Sequence, residues 1–138
     1  MPSFKTFDIA ASGLSAQSVR LNTVASNLAN ADSVSGDPRT VYRARHPLFE
    51  AVRATLSSAQ DASGVRGRGI VESNAPPQAR YEPGHPLADE QGYIYAPNVN
   101  VVEEMVDMIS AARTYQNNIE VLNTSKELML ATLRLGQS

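Results

Sequence analysis

The chain lacks cysteine altogether, so it can form neither a disulfide nor a thiolate metal site. That absence suits the cytoplasm and an exported protein equally well. No apolar run approaches the roughly 18 residues that a bilayer-spanning helix needs, so we expect no transmembrane segment. Asp8 stands where a secretory signal peptide would need its apolar centre, so we expect no cleaved signal either. The formal net charge is -2, and the lack of a basic excess argues against nucleic acid as a partner.

Proline and glycine are nearly missing from the two ends. Of eight prolines only Pro2, and of eight glycines only Gly13 and Gly136, lie outside residues 34–97. Because proline removes a backbone donor and glycine costs backbone entropy in a helix, the ends are free to be helical and the middle is rich in turns. We therefore predict three segments, namely an N-terminal helix within residues 1–33, a β/loop middle at 34–97 and a C-terminal helix within 98–138.

Large apolar residues recur every seven positions in the N-terminal segment, at Phe7, Leu14, Leu21 and Leu28. Small residues fall between them and complete the alternating three- and four-residue spacing of a coiled-coil seam. They would let another helix approach closely. The pattern predicts a helix over residues 5–31.

The C-terminal segment repeats this spacing over a longer stretch. It predicts a helix over residues 100–135, with Asn98 or Asn100 as its cap and Gly136 at its end. The members of the stripe that we expect to pack or assemble are Met105, Met108, Tyr115, Ile119, Leu122, Met129 and Leu133. Further apolar residues widen the stripe beyond a two-helix seam, namely Val102, Val106, Ile109, Val121, Leu128 and Leu135.

These patterns predict a mainly α fold in which the long terminal helices pair as an antiparallel, coiled-coil-like hairpin and form one core domain. The middle offers few large apolar residues, so part of the widened stripe stays uncovered. Exposed apolar faces of this kind favour association, and we expect the chain to assemble with other subunits.

The middle segment predicts a small β element. Residues 40–45 and 65–71 alternate polar and apolar side chains, as half-buried strands do. Proline and glycine at 74–77 and 82–86 predict turns.

No motif points to catalysis. His46 and His85 have neither the spacing nor the companions of a zinc site. No nucleophile, base and orienting group can be combined, and no phosphate-loop spacing is present. We expect no enzymatic activity, no metal and no cofactor.

Charge is distributed unevenly along the middle. Six arginines lie between residues 39 and 68, whereas seven acids lie between residues 72 and 107. An ordinary solvated surface would explain this, but the two patches could also meet between neighbouring subunits and set their register. The candidates for such contacts are Arg43, Arg45, Arg66, Arg68, Glu82, Asp89, Glu103 and Glu104.

Several motifs carry a family resemblance. Residues 12–17 (SGLSAQ) and 25–32 (ASNLANAD) closely resemble the N-terminal signature of the bacterial flagellar rod and hook proteins. Residues 81–89 (YEPGHPLAD) and 120–123 (EVLN) are similar to the proximal rod proteins of the basal body. The resemblance runs nearly from end to end and is weakest at residues 50–72.

The resemblance implies a structural subunit of the proximal rod. Such a subunit would leave the cell through the flagellar type III export apparatus without a cleaved signal. It would assemble in the periplasm into the shaft that transmits torque from the membrane ring to the hook. Its partners would be copies of itself, other proximal rod proteins, the next distal rod subunit and the membrane ring. Another rod or hook subunit and a cytoplasmic helical adaptor remain alternatives.

Overall fold

The structure, a computed structural model, describes residues 2–53 and 63–136. Its two long helices stand at the ends of the chain and its four strands lie between them. The elements are α1 (Pro2–Ala29), β1 (Arg45–Arg53), β2 (Ser63–Glu72), β3 (Gln78–Tyr81), β4 (Tyr93–Ala96) and α2 (Val101–Leu135). The predicted combination of long terminal helices with small β elements between them is confirmed. None of the helices in the described ranges is long and apolar enough to cross a bilayer.

Capping residues fix the bounds of α2. Asn100 has an extended backbone, and its side chain accepts hydrogen bonds from the backbone N–H groups of Val102 and Glu103. At the other end the Gly136 N–H donates to the Thr132 carbonyl at 3.1 Å. Asn98 is not the cap, because its Oδ1 accepts from the Ala44 N–H at 2.7 Å. The helix predicted at 100–135 is therefore correct to within one residue.

The two helices run antiparallel. Contacts pair Asn27 with Glu104 and Arg20 with Asp107, so that positions ascend on α2 as they descend on α1. Farther along, Gly13 lies against Asn118. The centre of this contact is one residue away from the predicted stripe at Leu14, so that stripe flanks the contact instead of forming its middle.

β1 and β2 form an antiparallel ribbon that lies on α1. The register shifts by one residue at Leu48/Phe49, which face Gly69 and Gly67. The Ser12 Oγ on α1 accepts a hydrogen bond from the Val65 N–H at 3.1 Å. The strand predicted at 65–71 lies within β2. Among the described elements α2 contacts α1 and neither ribbon.

The strand predicted at residues 40–45 is wrong. The Ala44 N–H donates to Asn98 Oδ1, and the Arg45 N–H donates to Asn27 Oδ1 at 2.9 Å. Because asparagine side chains satisfy these donors, the segment needs no neighbouring strand. Its buried positions, Val41 and Ala44, are three residues apart and do not alternate as those of a strand do. Strand pairing begins only at Arg45.

β3 and β4 form a second ribbon, and β4 is its buried strand. The turn predicted at 82–86 is confirmed, since the His85 N–H donates to the Glu82 carbonyl at 3.0 Å. Gly92 has φ +83°, and a Cβ there would sit 3.0 Å from the Tyr81 ring. Only glycine fits this position well.

Buried apolar residues lie near the end of α1, in the segment before β1, on β4 and just before α2. They are Val24, Val41, Ala44, Ile94, Ala96 and Val99.

Candidate assembly interface

Asn27 is the centre of a polar junction that joins three parts of the chain. It is only 1% exposed. Its Nδ2 donates to the Arg45 carbonyl and to Glu104 Oε1, both at 2.9 Å. Its Oδ1 accepts from the Tyr42 hydroxyl and the Arg45 N–H, both at 2.9 Å. With all four hydrogen-bonding positions used, Asn27 fixes α1, α2 and β1 relative to one another.

Sequence reasoning did not single out Asn27. It lies in the stretch 25–32 that carries the family resemblance, and that was the only signal available. Glu104, predicted as a contact between subunits, is 7% exposed and is bonded to Asn27 inside the chain. Its side chain serves the junction, and we do not carry it into the proposed contacts between subunits.

The middle of the helix pair is held by a close approach and an ion pair. A Cβ added at Gly13 would lie 2.8 Å from the Asn118 Nδ2, so α1 and α2 approach each other closely at these residues. Arg20 and Asp107 form an ion pair at 2.8 Å. Ala111 is fully buried on the same side of α2. Small and polar residues of α1, not its leucines, therefore lie at these contacts.

The predicted leucine stripe of α1 lies on one flank of this contact. Phe7, Leu14, Leu21 and Leu28 are all half-buried. Leu14 directly follows Gly13 along the helix, and Leu21 and Leu28 likewise follow the contact residues Arg20 and Asn27. Each is thus turned from the contact by about 100°.

Part of the predicted α2 stripe lies on the same side of the pair. Met105 is 53% and Ile119 39% exposed, and they directly follow the contact residues Glu104 and Asn118. Because the helices are antiparallel, an equal turn on each brings both sets to one side. Ser12, which holds the ribbon, precedes Gly13 and so lies on the opposite side. We call the side away from the ribbon the open apolar face, and its members are Phe7, Leu14, Leu21, Leu28, Met105, Met108 and Ile119.

The other predicted α2 residues take different positions. Tyr115 and Leu122 lie four residues after the contact positions Ala111 and Asn118, and Met129 lies eleven residues, about three turns, after Asn118. All three are half-buried and therefore turn towards α1. Leu133 is 63% exposed in the last turns of α2. The structure thus brings the predicted assembly residues to three places rather than to one seam.

A further apolar patch points directly away from α1. Val102, Val106 and Ile109 are 70%, 61% and 58% exposed. The sequence showed them only as residues that widen the stripe. What it could not show is that the contact face of α2 lies on the opposite side of the helix.

Among the predicted charge contacts, several are used within the chain. Arg45 pairs with Glu72 at 3.3 Å, and Arg68 pairs with Glu50 at 3.5 Å. Asp89 accepts the backbone N–H groups of Gln91 and Tyr93 through Oδ1, and so holds its own turn together. Within the described ranges no ion pair involves the remaining four, namely Arg43, Arg66, Glu82 and Glu103.

Within the described residues, the shifted pKa values belong to Asp37, Arg39 and Tyr95, each of which interacts with a charged residue nearby in sequence. Hydrogen bonds from the Arg39 side chain and backbone lower the pKa of Asp37, and the Asp37 carboxylate raises the pKa of Arg39. Burial, and then the charge of Asp89, raise the pKa of Tyr95. In the part of the chain that the structure describes, no group of three potential metal ligands is found.

Comparison with known proteins gives matches at both ends of the chain and over its whole length. A family described as "Flagella basal body rod protein" matches residues 7–36, and one described as "Flagellar basal body rod FlgEFG protein C-terminal" matches residues 90–135. The matched regions contain most of α1 and all of α2.

Full-length relatives narrow the class further. The flagellar basal-body rod protein FlgC of Salmonella typhimurium (strain LT2) is 55% identical over 131 residues, which cover 95% of this chain and 96% of that protein. The protein of the same name from Escherichia coli O157:H7 is 56% identical over the same shares. That of Aquifex aeolicus is 41% identical over 134 residues, with 96% of each chain covered.

Proposed function

This chain belongs to the family of flagellar basal-body rod proteins called FlgC, and we propose that it builds the proximal part of the rod by packing its open apolar face against neighbouring subunits. It is a structural subunit of the flagellar rod, as its relatives are. Its work is mechanical, and we assign no catalytic role to any residue.

The observation that supports this proposal is the open apolar face. Leucines of α1 and residues such as Met105 and Ile119 of α2 lie on one side of the helix pair, half-buried or exposed, with the ribbon on the other side. Fully burying such a side chain gains about 1.5–3 kcal/mol. Covering the whole face with neighbouring helices would therefore stabilise an assembly through many small contributions, which suits a shaft under torque.

We further propose that the two helices form the axial core and that residues 34–97 form an outer layer. The separation of the β1–β2 ribbon from α2 supports this arrangement, since the ribbon touches only one helix of the pair. On this view the core would be a two-helix, coiled-coil-like unit completed by helices of other subunits.

The proposed partners are copies of this chain, other proximal rod proteins, the next distal rod subunit and the membrane ring. Torque would pass through these contacts from the ring to the hook. We place the subunit in the periplasmic part of the basal body, reached through the flagellar type III export apparatus. The names of the relatives place them in the basal-body rod.

We also propose that some charged residues set the register between subunits. Arg43, Arg66, Glu82 and Glu103 make no ion pair within the described residues, so their charges remain available to a neighbour. Charges at the rim of an interface affect specificity and association rate more than affinity.

Substitution of one residue of the open apolar face tests the proposal. Ile119→Asp would place a charge where a neighbouring helix should pack, and Leu21→Asp would do the same on α1. We expect either change to abolish swimming and to remove the protein from purified basal bodies, while export of the subunit continues. Soft-agar motility and immunoblots of basal bodies and of the exported fraction measure these outcomes.

Asn117→Asp is the matched control. It introduces the same charge two residues from Ile119, on an exposed polar side of α2. We expect it to swim and to assemble. Thermal unfolding of the purified chains, followed by circular dichroism, separates loss of assembly from loss of fold. Wild-type swimming by the Ile119 variant would count decisively against the open apolar face as an assembly surface.

A further inference from the structure

A second apolar feature lies on the ribbon side of the molecule. A cleft of about 370 Å³ opens between the first turns of α1 and the β1–β2 ribbon. Its walls include Ile9, Val52 and Val65, and Ser12 lies at the contact between helix and ribbon. The open apolar face, on the other side of the helix pair, takes no part in it.

The chemistry of the cleft favours an apolar occupant. Its one hydroxyl is already used, because Ser12 Oγ donates to the Ile9 carbonyl at 2.7 Å and accepts from the Val65 N–H at 3.1 Å. Ile9, Val52 and Val65 offer branched aliphatic surface, and Val65 is 39% exposed. A side chain such as leucine would cover that surface without leaving a polar group unpaired.

The end of α2 supplies such side chains. Gly13 of α1 lies against Asn118 of α2 in the antiparallel pair. The first residue of α1, Pro2, lies eleven residues before Gly13, and its counterpart on α2 is Met129, eleven residues after Asn118. With equal rise on both helices, the residues of α2 beyond Met129 extend past the start of α1. Leu130 and Leu133 in this projecting end are 45% and 63% exposed.

Charge at the two surfaces is complementary. Lys5 and Arg66 lie at the cleft and make no ion pair within the described residues. The C-terminal end of a helix carries partial negative charge, which two nearby cations would favour. Asp8, the acid at the cleft, could face Arg134 in the last turn of α2.

A chain's own α2 does not occupy its own cleft. The ribbon and α2 lie on different sides of α1, and they do not touch in the described ranges. The projecting end of α2 and the cleft are different parts of the molecule, so a contact between them on two copies is heterologous. Such contacts repeat from subunit to subunit and generate rings or helical arrays instead of closed pairs.

We infer that the cleft between α1 and the β1–β2 ribbon receives the projecting leucine-bearing end of α2 from a second copy of this chain. This inference rests on the proposed function and names one contact within the assembly. The open apolar face would then supply lateral packing, and the cleft would connect each copy to the next.

Disulfide trapping in the assembled rod tests the contact directly, since the natural chain has no cysteine to interfere. A chain carrying both Ile9→Cys and Leu133→Cys replaces the natural protein, and isolated basal bodies are oxidised and separated on a non-reducing gel. A disulfide forms only where the two Cα atoms come within about 7 Å. We expect bands at twice the monomer mass and above, all lost on reduction.

Three controls make the result decisive. Each single-cysteine chain should give no covalent dimer, whereas the two expressed together should give one. A chain with Ile9→Cys and Val121→Cys carries the second thiol in the part of α2 that pairs with α1. Val121 is 46% exposed, so its thiol would be accessible, but this pair should give no dimer. Val65→Cys with Leu130→Cys repeats the test from the ribbon wall of the cleft.

Each outcome has one reading. If the variants are present in basal bodies but neither the Ile9/Leu133 pair nor the Val65/Leu130 pair forms a disulfide between chains, the inference is overturned and the proposed function stays intact. A disulfide confined to single chains would mean that the end folds onto its own cleft. A product joining this chain to a different rod protein would replace the second copy with that protein. Absence of the single-cysteine variants from basal bodies would instead count against the proposed function.

Discussion

At the scale of residues, Asn27 decides more of the architecture than any large apolar side chain. Its four hydrogen bonds join the backbone of Arg45, the Tyr42 hydroxyl and the Glu104 carboxylate at one buried point. Replacing one buried partner leaves the others unsatisfied, and that cost exceeds the value of the bonds themselves.

Asn27→Ala should therefore lower the free energy of unfolding by about 2–3 kcal/mol. The Arg45 N–H and the Glu104 carboxylate would lose their partner in a buried place. Urea unfolding of the purified chain, followed by circular dichroism, measures the change. Asn22→Ala, at an exposed position of the same helix, should cost much less. Equal losses for the two variants would show that the junction contributes little.

At the scale of elements, the helix pair depends on a glycine and an asparagine. A Cβ at Gly13 would meet the Asn118 amide at 2.8 Å, and that amide is the flexible end of a side chain. Alanine can therefore be accommodated, and its better helix propensity, worth about 1 kcal/mol, offsets the displacement. A larger side chain must separate the helices.

Gly13→Val should destabilise the chain by about 1–3 kcal/mol, and Gly13→Ala should be close to neutral. Adding Asn118→Ala should recover part of the loss, because it removes the group that the valine meets. A double-mutant cycle by thermal or urea unfolding measures this coupling. Ser15→Val supplies the exposed-site control on α1. Coupling near zero would mean that the helices do not approach at these residues.

The elements also show which sequence patterns were informative. The scarcity of proline and glycine at the ends, together with the heptad spacing, predicted α2 to within one residue and α1 to within three, because these are local properties of the chain. The strand predicted at 40–45 failed for a non-local reason: Asn98, more than 50 positions away, and Asn27 on α1 satisfy the backbone donors there. Alternation alone cannot show whether a partner strand exists.

At the scale of the whole molecule, the exposed charges of the ribbon matter for assembly more than for folding. Arg68 pairs with Glu50 on the surface, where an ion pair contributes at most about 1 kcal/mol. Arg66 has no ion pair in the described part of the chain. Reversing both charges should leave the isolated fold intact.

Arg66→Glu with Arg68→Glu should reduce the amount of subunit in basal bodies without shifting the melting temperature of the purified chain. The new carboxylates would repel the acidic groups of a neighbouring subunit that the arginines are proposed to attract. Quantitative immunoblots of basal bodies measure the loss, with Arg80→Glu as the control on another exposed strand. Unchanged assembly would mean that these two arginines are ordinary solvated residues and make no contact between subunits.

The isolated subunit should show uneven protection from hydrogen exchange. Amides around Asn27 and Ala111 lie at buried contacts and should exchange slowly, whereas those of the projecting end of α2 should exchange fast. In the assembled rod, hydrogen exchange at the projecting end of α2 should be slower than in the monomer. Mass spectrometry of purified monomer and basal bodies makes the comparison. Uniformly strong protection in the monomer would contradict a subunit whose helix ends await partners.

The sequence by itself determined the two helices, the turn-rich middle and, through the motifs at 12–17, 25–32 and 81–89, the class of protein. The helices and the turns depend on local conformational propensity, and the class of protein follows from short contiguous motifs. Only the tertiary structure decided which helix faces meet, because Asn27, Gly13 and Asn118 lie in the contact and the leucine stripe of α1 lies one residue farther round. It also decided that Glu104 serves the fold, since burial depends on what the rest of the chain places beside it.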